Sequence, residues 1–372
     1  MTKKPKQSTN VQNAAMSGTK PKYQVPSMSE IEALPWNGFK VASTFSGGGG
    51  SCLGYRMAGY HVVYANEFVE EAQRTYRANH KDTYLDCRDI RSVTPESILK
   101  ILNMKKGEID LFDGSPPCCA FSTAGKREKG WGQQRDYSDG KKQRIEDLFE
   151  EYIRILDGLQ PKTFVAENVS GMVKGSAIGY FKYYLAKMKK CGYKVNAQLL
   201  NAKWLGVPQS RERIIFVGVR EDLGFEPVHP KPLKYYYTLG DAFEGLPEDR
   251  EEKDRLIEEI KGYKIGQILA RLPKNPPKKI SASSIMNGSY FNLIRSSFNE
   301  PAPTMCQMGA TQSCACACDE DRRFTIGEIK RITSLPDDFI LTGNYKQQYE
   351  RAARMVPPVM MKHIAETIAR EI

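Results

Sequence analysis

The sequence predicts an α/β protein built on a mostly parallel, Rossmann-like sheet, with a smaller second domain. Three observations carry that expectation. Six short runs have the length and β-rich composition of strands: VASTF (41–45), HVVYAN (61–66), IDLFDG (109–114), TFVAEN (163–168), KVNAQLL (194–200) and RIIFVGV (213–219). Helix-like segments lie between several of them. The clearest is KKQRIEDLFEEYIRILD, where Ile145, Leu148, Phe149, Tyr152 and Leu156 recur at spacings of three and four and share one face. Finally, the alternation fails after residue 220, where Pro-rich joints, Tyr-rich patches and lysines replace it. Amphipathic helices between apolar strands imply a sheet covered on both faces. Such sheets bind ligands beyond the carboxyl ends of their strands.

The chain divides on this basis into four parts. Residues 1–37 mix Lys, Gln, Ser, Thr, Asn and Pro without a period and read as a disordered basic tail. Residues 38–220 form the sheet domain, 221–319 the smaller domain, and 320–372 a helical segment expected to return to the sheet. No apolar run approaches the roughly 18 residues of a membrane span, and the N-terminus lacks an apolar export core. A cytoplasmic setting is therefore expected. The formal charge is +11. Five Lys and one Glu in residues 1–30 supply +4 of it, leaving +7 for the rest. That balance favours a polyanionic partner without proving one. Nine cysteines, an odd number, suggest mostly reduced thiols.

The first strand runs into FSGGGGSCLGYRMAG. Gly47 to Gly50 remove every Cβ where strand turns into helix, so a ligand can approach the backbone and face a helix N-terminus. A plain surface turn is the alternative, and the spacing is not that of a dinucleotide fingerprint. Glu67, at the tip of the second strand, can accept from both hydroxyls of a ribose, and Asp89 from an adenine amino group. Either acid alone also fits a surface carboxylate. With no phosphate-binding lysine motif beside the turn, an adenosyl group suits the pocket better than a nucleoside triphosphate.

Beyond the third run, GSPPCCAFS sets Pro116 and Pro117 immediately before Cys118. The prolines stiffen the backbone and fix where the thiol points. A thiolate held that way adds to electron-poor carbon, although an adjacent cysteine pair also fits two buried small hydrophobes. The next strand ends in Glu167, near the same crevice. In QSRERIIFVG, Arg211 and Arg213 share a face if the strand has begun.

In this order FSGGGG, NEF, CRDI, GSPPCCAFS, AENV, QSRERIIFVG, RSSFNEPAPT and the RRFTIGE…VPP end resemble the S-adenosylmethionine-dependent DNA cytosine-5 methyltransferases. The resemblance covers residues 39–219 and 295–372. It implies a class I methyltransferase sheet over 38–220, with catalysis and cofactor binding there and target recognition in 221–319. It implies Cys118 as the nucleophile adding to cytosine C6 and Glu167 on N3. Arg213 would bind the base O2, and Arg211 would help hold the loop and target nucleotide. S-adenosylmethionine would lie among Phe45, Gly47, Gly49, Gly50, Glu67, Phe68, Asp89, Ile90, Pro117 and Arg354, with Phe45 on the adenine. The partner implied is double-stranded DNA with the target base flipped out of the stack. The setting implied is a prokaryotic or phage restriction–modification system, a monomeric enzyme whose cognate endonuclease is a genetic partner.

The stretch STAGKREKGWGQQRDYSDG resembles the family's mobile loop, with Lys126, Arg127, Lys129 and Arg135 available for phosphates. Target recognition would fall on Tyr235, Tyr236, Tyr237, Lys274, Lys278 and Lys279, with Tyr290 and Arg295 as further candidates. Four departures stand out. Cys119 replaces a usual Gln and Ser43 a common Asp, while Ala353 and Arg354 replace a Gly-Asn pair near the methionine half of the cofactor. A basic residue there is compatible with carboxy-S-adenosylmethionine, since guanidinium pairs with carboxylate. Cys306, Cys314, Cys316 and Cys318 form a cysteine-rich loop that reads as unliganded thiols, with a thiophilic metal as the alternative. Rival functions are a transfer RNA cytosine-5 methyltransferase and a catalytically weak DNA-binding homologue.

Overall fold

The structure is a computed structural model that describes residues 20–117, 135–136, 142–143, 147–286, 293–310 and 315–372. Strands β1 (Lys40–Thr44), β2 (His61–Asn66), β3 (Tyr84–Asp86) and β4 (Leu111–Gly114) belong to one sheet. A two-residue pair, β5 (Arg135–Asp136) and β6 (Lys142–Gln143), stands apart from it. The sheet continues with β7 (Thr163–Val169), β8 (Tyr193–Asn201) and β10 (Glu212–Arg220), just after the short β9 (Gln209–Ser210). Its seven strands run in the order β3-β2-β1-β4-β7-β10-β8, with β10 antiparallel to both of its neighbours. All six anticipated strands are present. The three-residue β3 was too short to leave a periodic signal.

Alternation along the central strands explains why both faces are covered. Val41, Leu111, Val165, Ile215 and Val217 enter one core. Ala42, Phe112, Phe164, Ala166, Ile214 and Phe216 enter the other. Strands apolar on both sides require helices on both sides. On the second face lie α4 (Pro95–Leu102), α5 (Leu148–Leu159) and α6 (Ile178–Lys190). Leu148, Phe149, Tyr152 and Leu156 of α5 are all buried, as their spacing predicted, while Ile145 lies outside the described residues.

The first face is covered by α2 (Gly50–Met57) and the last helix, α12 (Pro358–Ala369), joined to it by Cys52, Tyr55, Met360, Met361, Ile364 and Ile368. Between them in sequence come α3 (Glu70–Asn79), α7 (Leu239–Phe243), α8 (Arg250–Lys261), α9 (Lys264–Leu269), α10 (Ile326–Ile332) and α11 (Tyr345–Arg354). Helix α12 starts with Pro358 at a position where a missing amide costs nothing.

Residues 20–37, assigned with the rest of the lead to disorder, instead pack on the body: Lys20, Lys22, Tyr23 and Met28 meet the C-terminal half, and Glu32, Leu34, Trp36 and Asn37 meet Arg56, Ala58 and His61. Helix α1 (Met28–Ala33) is opened by a capping box between Ser27 and Glu30, and Ile31 is buried. Tyr23 is buried as well and donates to the Arg331 carbonyl at 2.8 Å. A few apolar contacts and one capping box hold a segment whose composition is otherwise polar.

After residue 220, helices α8 and α9 and a small sheet of β11 (Ile280–Ser281), β12 (Ile294–Arg295) and β14 (Ala315–Cys316) gather a separate small core of Ile260, Leu269, Leu272, Leu293 and Cys316, while α7 puts Leu239 and Ala242 into other clusters. Strand β13 (Ala302–Pro303) pairs with β9 and ties this region to the main body. Ala302, Met305, Ala315, Ala317 and Cys318 share a core with α10 and α11, so residues 320–372 are packed against both parts. Among the described residues no helix is long and apolar enough to cross a membrane.

The α2–α12 contact has no room to spare. A Cβ on Gly54 would lie 2.5 Å from the Pro358 carbonyl oxygen and 2.6 Å from the Met361 Cβ. Gly54→Ala is expected to cost ~1–3 kcal/mol, read as a lower urea midpoint with an unchanged slope. An unchanged midpoint would show that α12 is not seated on α2.

Candidate functional site

Strand register sets the site. Asn66, Thr44, Gly114 and Ala166 are paired in a row across β2, β1, β4 and β7. The next residues, Glu67, Phe45, Ser115 and Glu167, therefore emerge side by side at the carboxyl ends of four parallel strands. This is where an open α/β sheet places its ligands. Phe45 has φ 54°, a left-handed conformation that costs a non-glycine residue about 1–2 kcal/mol. Its carbonyl accepts from the Ser115 hydroxyl at 3.1 Å, linking the tips of β1 and β4.

On the β1–β2 side, Glu67 is buried and its carboxylate is held by two backbone amides. One oxygen accepts from Gly47 at 2.8 Å and the other from Val69 at 2.7 Å. Each oxygen keeps a lone pair for a hydroxyl donor. Gly47, at φ 58°, is open: a Cβ there would meet nothing within 4 Å. The other glycines are present for a different reason than ligand approach. A Cβ on Gly48 would lie 2.1 Å from Met355 Cε, on Gly49 2.1 Å from His80 Nε2, and on Gly50 2.4 Å from the Val356 carbonyl oxygen. The protein's own C-terminal segment and half-buried His80 press on the turn, and of these four glycines Gly47 alone faces free space.

Asp89 caps the turn that follows it, accepting from the Arg91 amide at 3.0 Å, and its carboxylate also meets the Arg91 guanidinium at 3.4 Å. Arg91 in turn bridges to Asp147 at 2.7 Å. The Ile90 side chain belongs to the hydrophobic core rather than to an open pocket, and Arg154 takes its carbonyl at 3.0 Å. The Phe68 carbonyl accepts from Gln73 at 3.2 Å. An adenosyl ligand fits these groups: a double acceptor at Glu67, an acid at Asp89 and open space at Gly47.

On the β7–β10 side, Ile215 stands opposite Glu167 and Arg213 opposite Val169. Arg213 and Glu167 are thus diagonal neighbours on one face, and the Arg213 Nε lies 2.6 Å from a Glu167 oxygen. Both side chains are largely buried, so the pair is poorly screened. The Asn168 amide donates to the Pro116 carbonyl at 3.2 Å, anchoring the Pro116–Pro117 segment to the same strand end. Cys118 and Cys119 lie outside the described residues, as do Lys126, Arg127 and Lys129, and Arg135 is described only as part of β5.

Arg211 does not share a face with Arg213. It falls between β9 and β10, is 3 % exposed and donates to the carbonyls of Ala353 at 2.9 Å and Arg354 at 3.5 Å. Burial pushes its pKa down to about 9, and the nearby Arg213 adds to that shift. It braces the C-terminal segment within electrostatic reach of Glu167 and Arg213. Ala353 is buried, and Arg354 is turned onto Glu350 at 3.1 Å. Other expectations also change. Arg295 is fully buried and donates to the Leu269 carbonyl at 2.9 Å, so it cannot contact DNA. Tyr237 is buried beside Tyr23, whereas Tyr236 is exposed and meets Trp204 edge-on at 5.5 Å. Lys278 is exposed, Lys274 pairs with Asp321 at 3.5 Å, and Lys279 pairs with Glu300 at 3.9 Å. Tyr290 lies outside the described residues.

Cys316 and Cys318 are buried in different cores, and burial pushes the Cys318 thiol far up. Cys306 contacts the Thr304 carbonyl at 3.6 Å, and Cys314 lies outside the described residues. Among the described residues no group of three metal-ligating side chains converges. Two groups the sequence did not signal stand beneath the turn. Asp113, at the end of β4, accepts from Ser43 at 2.8 Å and Tyr55 at 3.0 Å. Ser43 also accepts from the Ser46 hydroxyl at 3.1 Å and so links the turn to Asp113. Half-buried His80 packs its shielded Nε2 against Gly49, and desolvation lowers its pKa to about 4.

A Rossmann-like sheet with a buried carboxylate beside an open glycine at β1–β2 and a paired acid and arginine at β7–β10 fits a class I methyltransferase. The chain belongs to the C-5 cytosine-specific DNA methylase family, which it matches across residues 39–370. It is 33% identical over 354 residues to the Type II methyltransferase M.FnuDI of Fusobacterium nucleatum, covering 90% of this chain and 94% of that one. With the Type II methyltransferase M.NgoPII of Neisseria gonorrhoeae it shares 30% identity over 374 residues, covering 93% and 99%. A mutant of Spodoptera frugiperda DNMT2 has the same fold, with a TM-score of 0.63, 19% identity and coverage of 89% and 99%. The protein is therefore a methyltransferase that uses S-adenosylmethionine to methylate cytosine C5 in DNA.

Burial pushes the Asp113 carboxyl up to about 7. Between about pH 4 and 7 the folded chain keeps this proton and the unfolded chain does not, so the residue's contribution to stability falls as pH rises through that window. Below the window both states hold the proton, and above it neither does. The urea midpoint of the wild type should therefore fall relative to that of Asp113→Asn between pH 5 and 8. Parallel pH profiles would mean that this carboxyl titrates normally.

Proposed function

We propose that the chain methylates a cytosine flipped out of duplex DNA through a covalent adduct between Cys118 and C6. The observation that carries this reading is the Glu167–Arg213 pair at 2.6 Å, on the strand end whose Asn168 holds Pro116, two residues before Cys118. Cysteine addition places an electron pair on the ring, and the charge develops at N3 and O2. Glu167 would share or give a proton at N3, and the Arg213 guanidinium would hold O2. Fixed groups of this kind stabilise charge most where water is excluded. Neutralising N3 directs the electron pair to C5. Bound S-adenosylmethionine supplies the electrophilic methyl carbon on its sulfonium. Once C5 carries the methyl and the thioether S-adenosylhomocysteine is left behind, loss of the C5 proton to a water base would expel the Cys118 thiolate and restore aromaticity.

Glu67, Asp89, Phe45 and the open flank at Gly47 would hold the adenosyl part. Arg211 keeps a positioning role through the Ala353 and Arg354 carbonyls. Residues 221–319 would carry target recognition, with exposed Tyr236 and Lys278 nearer DNA than buried Tyr237 or Arg295. Lysine contacts to phosphates would add affinity without specificity. The Type II relatives support a restriction–modification setting.

Mass spectrometry of unmethylated duplex DNA incubated with protein and S-adenosylmethionine tests the mechanism. Wild type should add one methyl at cytosine C5 of its site, and Cys118→Ser should add none. Glu167→Gln should lower kcat by roughly 100- to 10,000-fold. Methylation by Cys118→Ser would overturn the covalent route, and turnover confined to RNA would overturn the DNA substrate.

A further inference from the structure

Arg351, on α11, is 4 % exposed. A Cβ on Gly48 would lie 3.0 and 3.1 Å from its Cγ and Cδ, so the side chain runs directly over the glycine turn. Among the described residues its guanidinium makes no hydrogen bond and no ion pair. The acids around it are engaged elsewhere. Glu350 takes Arg354 at 3.1 Å and Gln307 at 3.0 Å, and the Glu67 oxygens take the Gly47 and Val69 amides. One oxygen of Glu71 meets Gln347 at 3.4 Å. The other is buried without a partner, within electrostatic reach of Arg351. Burial and the like charge of Arg354 both disfavour the Arg351 cation. Arginine nevertheless stays protonated in proteins, so the turn carries a desolvated cation that Glu67, Glu350 and Glu71 favour from a distance and none of them contacts directly.

We propose that Arg351 binds the α-carboxylate of S-adenosylmethionine, an assignment that rests on that cofactor and on no other part of the mechanism. A nucleoside held at Glu67 has Gly47 as its open flank, and Arg351 lies over the next residue, Gly48. The carboxylate is the cofactor's one anionic group, and its two oxygens match the guanidinium fork. Arg354, the basic residue that stands out in the sequence, is already occupied by Glu350. The unpartnered Glu71 oxygen gives the same gap both signs of charge, as a zwitterionic amino acid group requires.

Calorimetric titration of the full chain, without DNA, with S-adenosylmethionine and with its decarboxylated analogue separates the possibilities. The analogue keeps the sulfonium and the amine and lacks only the carboxylate. Wild type should bind it ~10–100-fold more weakly than S-adenosylmethionine. Arg351→Met should bind both ligands alike, at the analogue's wild-type level, and its unliganded Tm should stay level or rise because an unpaired buried charge is removed. Arg351→Lys should recover part of the discrimination, since it keeps the charge and loses the fork. Equal binding of the two ligands by wild type would overturn the assignment, whether or not any variant folds. So would an Arg351→Met protein that weakens both ligands by the same factor, which is the signature of a purely structural residue. Loss of methylation with intact discrimination would count against the covalent mechanism and leave this assignment standing.

Discussion

The site depends on one packing constraint: the C-terminal segment lies directly on the glycine turn. Met355 and Val356 occupy the space that side chains at Gly48 and Gly50 would need, and α12 does the same at Gly54. Interiors packed at this density transmit a shift of an ångström rather than absorb it. The turn between β1 and α2 is thus shaped by residues some 300 positions further along the chain. Arg211 reinforces the arrangement from the opposite side by holding the Ala353 and Arg354 carbonyls. Cofactor turn, C-terminal helix pair and the loop before β10 form one mechanical unit.

That unit connects the two chemical halves. The cofactor half, at Glu67 and Gly47, and the base half, at Glu167 and Arg213, sit on the same row of strand ends. Strand pairing fixes their separation more firmly than loop contacts would. Beneath them, Asp113 is buried with hydrogen bonds from Ser43 and Tyr55, so the ends of β1 and β4 are joined by polar as well as apolar contacts. A buried network of this kind is costly if any member is lost and specifies one arrangement when complete.

Much of this was legible in the sequence. The six strands were readable because alternate residues feed two cores, leaving near-continuous apolar runs. Glu167 and Arg213 were readable because their motifs adjoin strand ends, where side-chain direction follows from register. Family membership followed from the order of those motifs. Other features were hidden for physical reasons. Residues 20–37 looked disordered by composition, yet Ser27 and Glu30 three residues apart were a capping signal that composition outweighed. Arg211 was expected at the target nucleotide and Arg295 on the recognition surface, because nothing local shows that distant carbonyls will engage them. Gly48 to Gly50 suggested ligand approach, and only tertiary packing reveals that the chain itself fills that space. Arg351 was masked by its neighbour Arg354, the residue that departs from the family pattern.

Hydrogen–deuterium exchange with and without S-adenosylhomocysteine tests the central claim most directly. If the C-terminal segment and the glycine turn form one cofactor-binding unit, ligand should slow exchange together at residues 45–50 and 351–356. Protection confined to 45–50 and 67–69, with 351–356 unchanged, would contradict the account and leave the C-terminal return as packing alone.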